Sequence, residues 1–259
     1  FPTFEEYSNR KVQSNLIVYQ PENPDFAYTT ADLMAYFDDK DISTLLVINP
    51  DNPSGNFIPA VQLLQLCQWA KSRGVRIIID ESFVDFTDEC EANSLLHDSV
   101  LAKYDNLVVV KSISKSYGVP GLRLGVVATS DVALADMLKK DVAIWNINSF
   151  AEYYMQIYGK YSADYACACR LFVNERKRFF GKLQQVPFLR VIPSQANYFL
   201  AEVLPPYSSS ELSRRLLNRH NILIKDCSAK KGFGGAGYIR LAIRNTADND
   251  KLLSALNNL

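Results

Sequence analysis

The chain has 259 residues, 48% of them hydrophobic, and 28 Lys+Arg balance 28 Asp+Glu. That is enough apolar material for one or two buried cores, and the neutral balance argues against nucleic acid or another polyelectrolyte as partner. Apolar runs no longer than a strand argue against a membrane span. With no basic, apolar leader and five odd, scattered cysteines (Cys67, Cys90, Cys167, Cys169, Cys227), a reduced, cytoplasmic protein is expected.

Cys167 and Cys169 are two apart in a helical stretch and face different sides, while His97 and His220 lack partners at ligand spacing. No metal site is expected.

Along the chain, apolar runs at 15–18, 45–48, 76–79, 107–110 and 124–128 read as strands. They alternate with helical patterns at 30–37, 60–72 and 132–139. Such alternation predicts an α/β domain, a mostly parallel sheet flanked by helices, over residues 1–150. A stretch to about residue 180 predicts one long linking helix or two. Strands at 190–192, 197–203, 222–224 and 238–243, with helices at 209–219 and 247–257, predict a smaller C-terminal α+β domain within 151–259. Gly232-Phe233-Gly234-Gly235-Ala236-Gly237 is followed by a strand rather than a helix, so it reads as a hairpin turn and not as a phosphate loop.

Three strand ends carry polar residues. Asn49-Pro50-Asp51-Asn52-Pro53-Ser54-Gly55 follows the strand at 45–48, and Asp80-Glu81 ends the strand at 76–79. The strand at 107–110 runs into Lys111-Ser112-Ile113-Ser114-Lys115-Ser116-Tyr117-Gly118, with Arg123 eight residues beyond Lys115. In open α/β sheets ligands bind at the carboxyl ends of strands. A lysine there can form a Schiff base with an aldehyde cofactor, and serine hydroxyls with an arginine can hold an anion. Other readings stand beside these: a solvated Lys/Ser turn, Asp80 as a cap, and Arg240 as a strand arginine whose stem packs while its head reaches water.

The order and spacing of these motifs resemble the fold-type I pyridoxal-phosphate enzymes, the class I/II aminotransferases, over essentially the whole chain. The resemblance implies that Lys115 is the Schiff-base lysine of pyridoxal 5'-phosphate. It implies that Asp80 pairs with the pyridinium nitrogen and Asn52 with the phenolic oxygen, that Phe83 lines the cofactor, and that Ser112, Ser114 and Arg123 take its phosphate. In Tyr238-Ile239-Arg240-Leu241-Ala242-Ile243-Arg244 it implies that Arg240 clamps the substrate carboxylate, and Arg244, on the same strand face, is a candidate for a second anion. Phe1-Pro2-Thr3-Phe4-Glu5-Glu6-Tyr7 resembles an internal segment of that family. The large domain is therefore expected to lack its N-terminal part, with the glycine-containing phosphate loop and the stacking aromatic, about a third of an ordinary enzyme.

Within the family the branch containing histidinol-phosphate aminotransferase and threonine-phosphate decarboxylase is the better match. Its aminotransferases often carry tyrosine three residues beyond the ring-nitrogen acid, and here that residue is Phe83, which keeps the packing and removes the donor. The expected activity is an aminotransferase acting on an amino acid, a phosphorylated one among the candidates. The alternatives are an amino-acid-O-phosphate decarboxylase and a non-catalytic or fused effector-binding domain. The expected partners are a small-molecule amino acid and, in the full-length parent, a second copy in a homodimer.

Overall fold

The computed structural model describes residues 4–9, 15–230, 232–233 and 236–259. Phe1–Thr3 of the initial segment, and Gly234 and Gly235 of the glycine-rich turn, lie outside the described residues. Contacts divide the chain into two compact units, and neither is a continuous half. One, the lysine unit, comprises Thr29–Pro50 and Ile58–Arg170. The other, the arginine unit, comprises Phe1–Tyr28, Asp51–Phe57 and Leu171–Leu259. The two continuous domains expected at 1–150 and 151–259 differ from this division. The Asp51–Phe57 turn hydrogen-bonds to the 194–198 segment, and Phe26 packs with Ile192, Leu200 and Tyr238.

After α1 (Glu5–Asn9) in the arginine unit, the lysine unit opens with α2 (Thr30–Phe37). Thr29 caps it, accepting from the Asp32 N–H while the Asp32 carboxylate accepts from the Thr29 N–H. Then follow β1 (Thr44–Ile48), α3 (Ala60–Ser72) and β2 (Arg76–Asp80). Two short helices, α4 (Cys90–Asn93) and α5 (Asp98–Lys103), precede β3 (Leu107–Ser112). The strands are rich in Leu, Ile and Val, as the packed face of a parallel sheet requires: Leu45, Val47, Ile77, Ile79, Leu107 and Val109, on one face, are all buried, while Leu46, Ile78 and Val110 on the other are partly buried. β1, β2 and β3 pair in parallel, while β4 (Gly125–Ala128) returns antiparallel to β3, so the sheet is mostly parallel with one reversed edge. The reversal is geometric. The connection, residues 113–124, holds only the single turn α6 (Ile113–Ser116) and a short 3-10 turn, with no helix to carry the chain over the sheet as a parallel crossover does.

Helices α7 (Val132–Asp141) and α8 (Ser149–Ile157) begin at caps Asp131 and Asn148. The linking stretch contains both α8 and a long helix α9 (Ser162–Leu183), the latter running from one unit into the other. The arginine unit continues with β5 (Leu189–Val191), β6 (Tyr198–Val203), α10 (Ser209–His220), β7 (Lys225–Asp226), β8 (Tyr238–Ala242) and α11 (Thr246–Asn257). Its sheet is antiparallel, in the order β5-β6-β8-β7. Phe179, Leu183, Phe199, Leu212, Leu216, Ile239, Leu241 and Leu256 fill the core beneath it.

Two expected strands are absent. Residues 16–20 join no sheet, and Ile17 and Val18 are exposed. The run at 222–224 is extended, but the paired residues are the next two, Lys225 and Asp226. Among the described residues no helix is long and apolar enough to cross a membrane.

Candidate active site

Lys115 sits on α6, entered directly from β3. Three contacts pin this turn within the lysine unit. The Ser112 N–H donates to Ser82 Oγ (3.0 Å). Ile113 is buried with Leu124 and Ala151. The Ser114 hydroxyl donates to the Leu124 carbonyl (3.2 Å) and accepts from the Leu124 N–H (3.1 Å). Lys115 itself is exposed, and its Nζ lies 4.1 Å from the centroid of the Phe83 ring. That distance is within range of a cation–π contact.

Asp80, at the end of the adjacent β2, is buried, and its Oδ1 accepts from the Ser82 N–H (2.9 Å). Ser82 therefore touches both functional segments, its N–H toward Asp80 and its Oγ toward Ser112. The lysine unit thus brings Asp80, Phe83, Ser112, Ser114, Lys115 and Arg123 onto two neighbouring strand ends and the turns behind them. Ser114 has one hydroxyl hydrogen, and the Leu124 carbonyl takes it, so here Ser114 braces backbone. Arg123 is exposed at φ +57°, and its Nη1 donates to the Pro120 carbonyl (3.2 Å).

One pair in this unit was not read from the sequence. Lys111 Nζ lies 2.7 Å from Asp85 Oδ1, with the two side chains only 9% and 10% exposed. The pair joins the end of β3 to the 3-10 turn Val84–Phe86 that follows Phe83. The signal was a lysine closing an apolar strand and a third acid in Asp80-Glu81-Ser82-Phe83-Val84-Asp85. Glu81 is buried beside them, accepting from the Leu95 N–H and from Ser94 Oγ (2.8 Å), and burial raises its carboxyl pKa.

The arginine unit holds Asn52 and Arg240. Arg240 Nη1 donates to Asn52 Oδ1 (2.9 Å), and its guanidinium stands 5.1 Å from the centroid of the Tyr198 ring. Both contacts are neutral: among the described residues no carboxylate pairs with this half-buried cation. Two other arginines of the unit meet acids, Arg178 with Glu175 and Asp250, and Arg190 with Asp25 and Glu202.

Arg244 differs from its expectation. β8 ends at Ala242, so Arg244 lies past the strand and not on its face. Its Nε donates to Asp248 Oδ2 (2.7 Å) and its N–H to Asn249 Oδ1 (2.9 Å), which joins it to the start of α11. The nearby helix takes the chain because Asn245 caps it, accepting from the Asp248 N–H (2.8 Å).

The Asn52 turn is built tightly. Gly55 adopts φ +77°, and a Cβ there would stand 2.0 Å from Ser194 Oγ, so no larger residue fits. Asp51 is buried, its Oδ2 accepting from Ser54 Oγ (2.6 Å), and burial pushes its carboxyl pKa up to about 7. Among the described residues no cluster of His, Cys, Asp and Glu is placed to hold a metal ion.

Comparison with known proteins gives this geometry a family. Residues 2–256 match the family model described as aminotransferase class I and II. The chain is 33% identical to the threonine-phosphate decarboxylase of Salmonella typhimurium, covering 100% of this chain and 69% of that protein. It is 34% identical to the CMP-5'-(3-aminopropyl)phosphonate synthase of Streptomyces rubellomurinus, covering 98% of this chain and 40% of that one. Among solved structures, the histidinol-phosphate aminotransferase of Clostridium acetobutylicum superposes with a TM-score of 0.86 at 28% identity, over 100% of this chain and 77% of that one. The chain thus spans between about two-fifths and two-thirds of the length of the first curated relatives it matches. The fold is that of the fold-type I pyridoxal-phosphate transferases. With its motifs in order over residues 2–256, the chain belongs to the aminotransferase class I and II family, whose members depend on pyridoxal phosphate.

Proposed function

We propose that the protein of which this chain is a part is a pyridoxal-phosphate-dependent decarboxylase of an α-amino acid bearing a phosphate or phosphonate. The observation that carries this reading is the 33% identity with a threonine-phosphate decarboxylase along the entire chain. Phe83 is consistent with it, since an aromatic ring without a hydroxyl faces the Lys115 amine.

The residues fit the cofactor. Asp80 supplies a buried carboxylate for a protonated ring nitrogen, and Lys115 supplies an amine for an aldehyde. Both come from adjacent strand ends of one unit. Ser112, Ser114 and Arg123 are proposed for the phosphate; Ser114 would have to release Leu124 to donate. Asn52 is proposed for the phenolic oxygen.

When bound, pyridoxal phosphate supplies an electron sink for the pair left at the α carbon as a bond there breaks. The Asp80 carboxyl would hold a proton on the ring nitrogen. Arg240 takes the substrate carboxylate, a role supported by its lack of a carboxylate partner within the described chain and by the match of its planar fork to two oxygens. Lys115 Nζ, once free, delivers the proton that replaces carbon dioxide at the α carbon. Phe83 packs beside that amine and offers no competing hydroxyl.

Transamination is the second reading, supported by the likeness to a histidinol-phosphate aminotransferase structure, though a decarboxylase structure from Sulfurospirillum multivorans superposes as closely, at a TM-score of 0.87. Incubating the cofactor-loaded full-length protein with O-phospho-L-threonine and O-phospho-L-serine separates the two. Carbon dioxide with a phosphorylated amine supports decarboxylation; a 2-oxo acid with pyridoxamine phosphate supports transamination and overturns the first reading. A homodimer is proposed as well. Ile144 and Trp145 are 94% and 92% exposed, and Phe150, close by in sequence, is also exposed, large apolar side chains that water solvates poorly. Sedimentation of the full-length protein tests it.

A further inference from the structure

The seat of Arg240 is a closed ring of contacts, and its fourth member is a residue with no role assigned above. Tyr198 and Arg240 lie on neighbouring antiparallel strands. Tyr198 is opposite Ala242 and Leu200 is opposite Arg240, so the two side chains are diagonal neighbours on one face of the sheet. The Tyr198 ring, itself buried, lies under the guanidinium at 5.1 Å. Its hydroxyl donates to the Asp51 carbonyl (2.8 Å), the same oxygen that accepts from the Gly55 N–H (2.8 Å). The next residue, Asn52, accepts from Arg240 Nη1.

Tyr198 therefore holds the arginine twice, directly through its ring and indirectly by tethering the turn that presents Asn52. A second tether, from the Gln195 N–H to the Gly55 carbonyl (3.1 Å), holds the far end of that turn. Without the ring, the guanidinium has one neutral hydrogen bond to fix its plane. A flexible arginine must then lose more rotamer freedom when it grips a carboxylate.

We propose that Tyr198 is a positioning residue that sets the plane of the Arg240 guanidinium for the substrate carboxylate. The inference rests on the reading of Arg240 as the carboxylate clamp, though not on which reaction follows.

The experiment uses the cofactor-loaded full-length enzyme, three single variants and one double variant: Tyr198→Phe, which keeps the ring and cuts the tether, Tyr198→Leu, which removes both, Arg240→Ala, and Tyr198→Leu combined with Arg240→Ala. For each, kcat and KM for O-phospho-L-threonine are measured, together with the rise in melting temperature produced by propionate, a carboxylate that cannot react. Tyr198→Leu is expected to raise KM about tenfold, and Tyr198→Phe about threefold, with kcat nearly unchanged and the propionate shift reduced in the same order. The double variant Tyr198→Leu/Arg240→Ala is expected to be no worse than Arg240→Ala, because the tyrosine acts through the arginine.

Additive losses in the double variant overturn the proposal, as does a fall in melting temperature with KM and the propionate shift unchanged. If Tyr198→Leu does not fold, an unchanged KM in Tyr198→Phe is sufficient to reject the tether, and a KM raised about threefold supports it. If Arg240→Ala leaves both KM and the propionate shift at wild-type values, the clamp itself is wrong, and the positioning role falls with it.

Discussion

In the parallel sheet β1-β2-β3, Asp80 and the Lys115 turn lie where strands stop, whereas in the antiparallel sheet Arg240 lies inside β8, its contacts made sideways across the sheet. Both arrangements follow from how each sheet is covered. Parallel strands packed with apolar side chains leave little room for a charge until the parallel ladder ends. An antiparallel strand has a face that can carry a polar group if a neighbour seats it. In the lysine unit the two functional segments are held by backbone and by the short side chain of Ser82. In the arginine unit the seat is made of side chains, Asn52 and Tyr198, brought from 188 and 42 residues away in sequence. Strand ends should therefore tolerate little change in their reactive groups, and the sheet-face seat should fail by degrees.

The largest expected effect is at Lys115. Lys115→Ala in the full-length protein should abolish both turnover and the visible absorbance of lysine-bound pyridoxal phosphate. Survival of that absorbance would place the attachment elsewhere. Asp80→Asn should follow, lowering kcat by about a thousandfold, near 4 kcal/mol of transition-state stabilisation, with cofactor affinity much less affected. A variant with near-normal kcat would leave Asp80 a structural role, as an acceptor for the Ser82 N–H.

The comparison sharpens at Asp51, the buried acid beneath the Asn52 turn. Burial raises its folded pKa from 3.8 to about 7. Below the unfolded value the carboxyl is neutral in both states and costs nothing. Between the two values the unfolded chain ionises first, so stability falls as pH rises and levels off above about 7. The loss should be about 2 kcal/mol between pH 5 and 7, at about 1.4 kcal/mol per unit. Asp51→Asn should flatten this contribution, as read from urea unfolding across that range; an unchanged slope would remove Asp51 as its source.

The smallest effect is expected at Glu175, which joins α9 to α11 by accepting from Arg178, Thr246 Oγ1 and Asn249 Nδ2. Glu175→Gln keeps the shape and loses the charge, and should cost about 1–2 kcal/mol of unfolding free energy with kcat unaltered. A change in kcat would show that the arginine unit's outer helices reach the chemistry.

Much of the lysine unit was legible in the sequence. Its strands are short β-branched runs, its helices begin at Thr29, Asp131 and Asn148, and its polar residues follow the strands directly. Where reading failed, the cause was a missing or competing neighbour. The run at 15–18 had the composition of a strand and no ladder to join. Arg244 followed a strand pattern that a helix cap interrupted. The continuous domains at 1–150 and 151–259 took no account of a seven-residue turn, Asp51–Phe57, whose hydrogen bonds run to residues far along the chain.

By itself the sequence determined which groups are available for chemistry: a lysine, an acid and an amide after three apolar strands, and an arginine within a fourth. Local propensity and turn chemistry act over a few residues, so these could be read in order. Tertiary structure decided how the arginines of the second unit are partnered among the described residues. Arg178, Arg190 and Arg244 each meet an acid, while Arg240 meets an amide and a ring. It also decided that Lys111 is buried against Asp85 while Lys115, four residues on, reaches solvent. Charge pairing depends on distances of a few ångströms between residues remote in the chain, and only packing sets those.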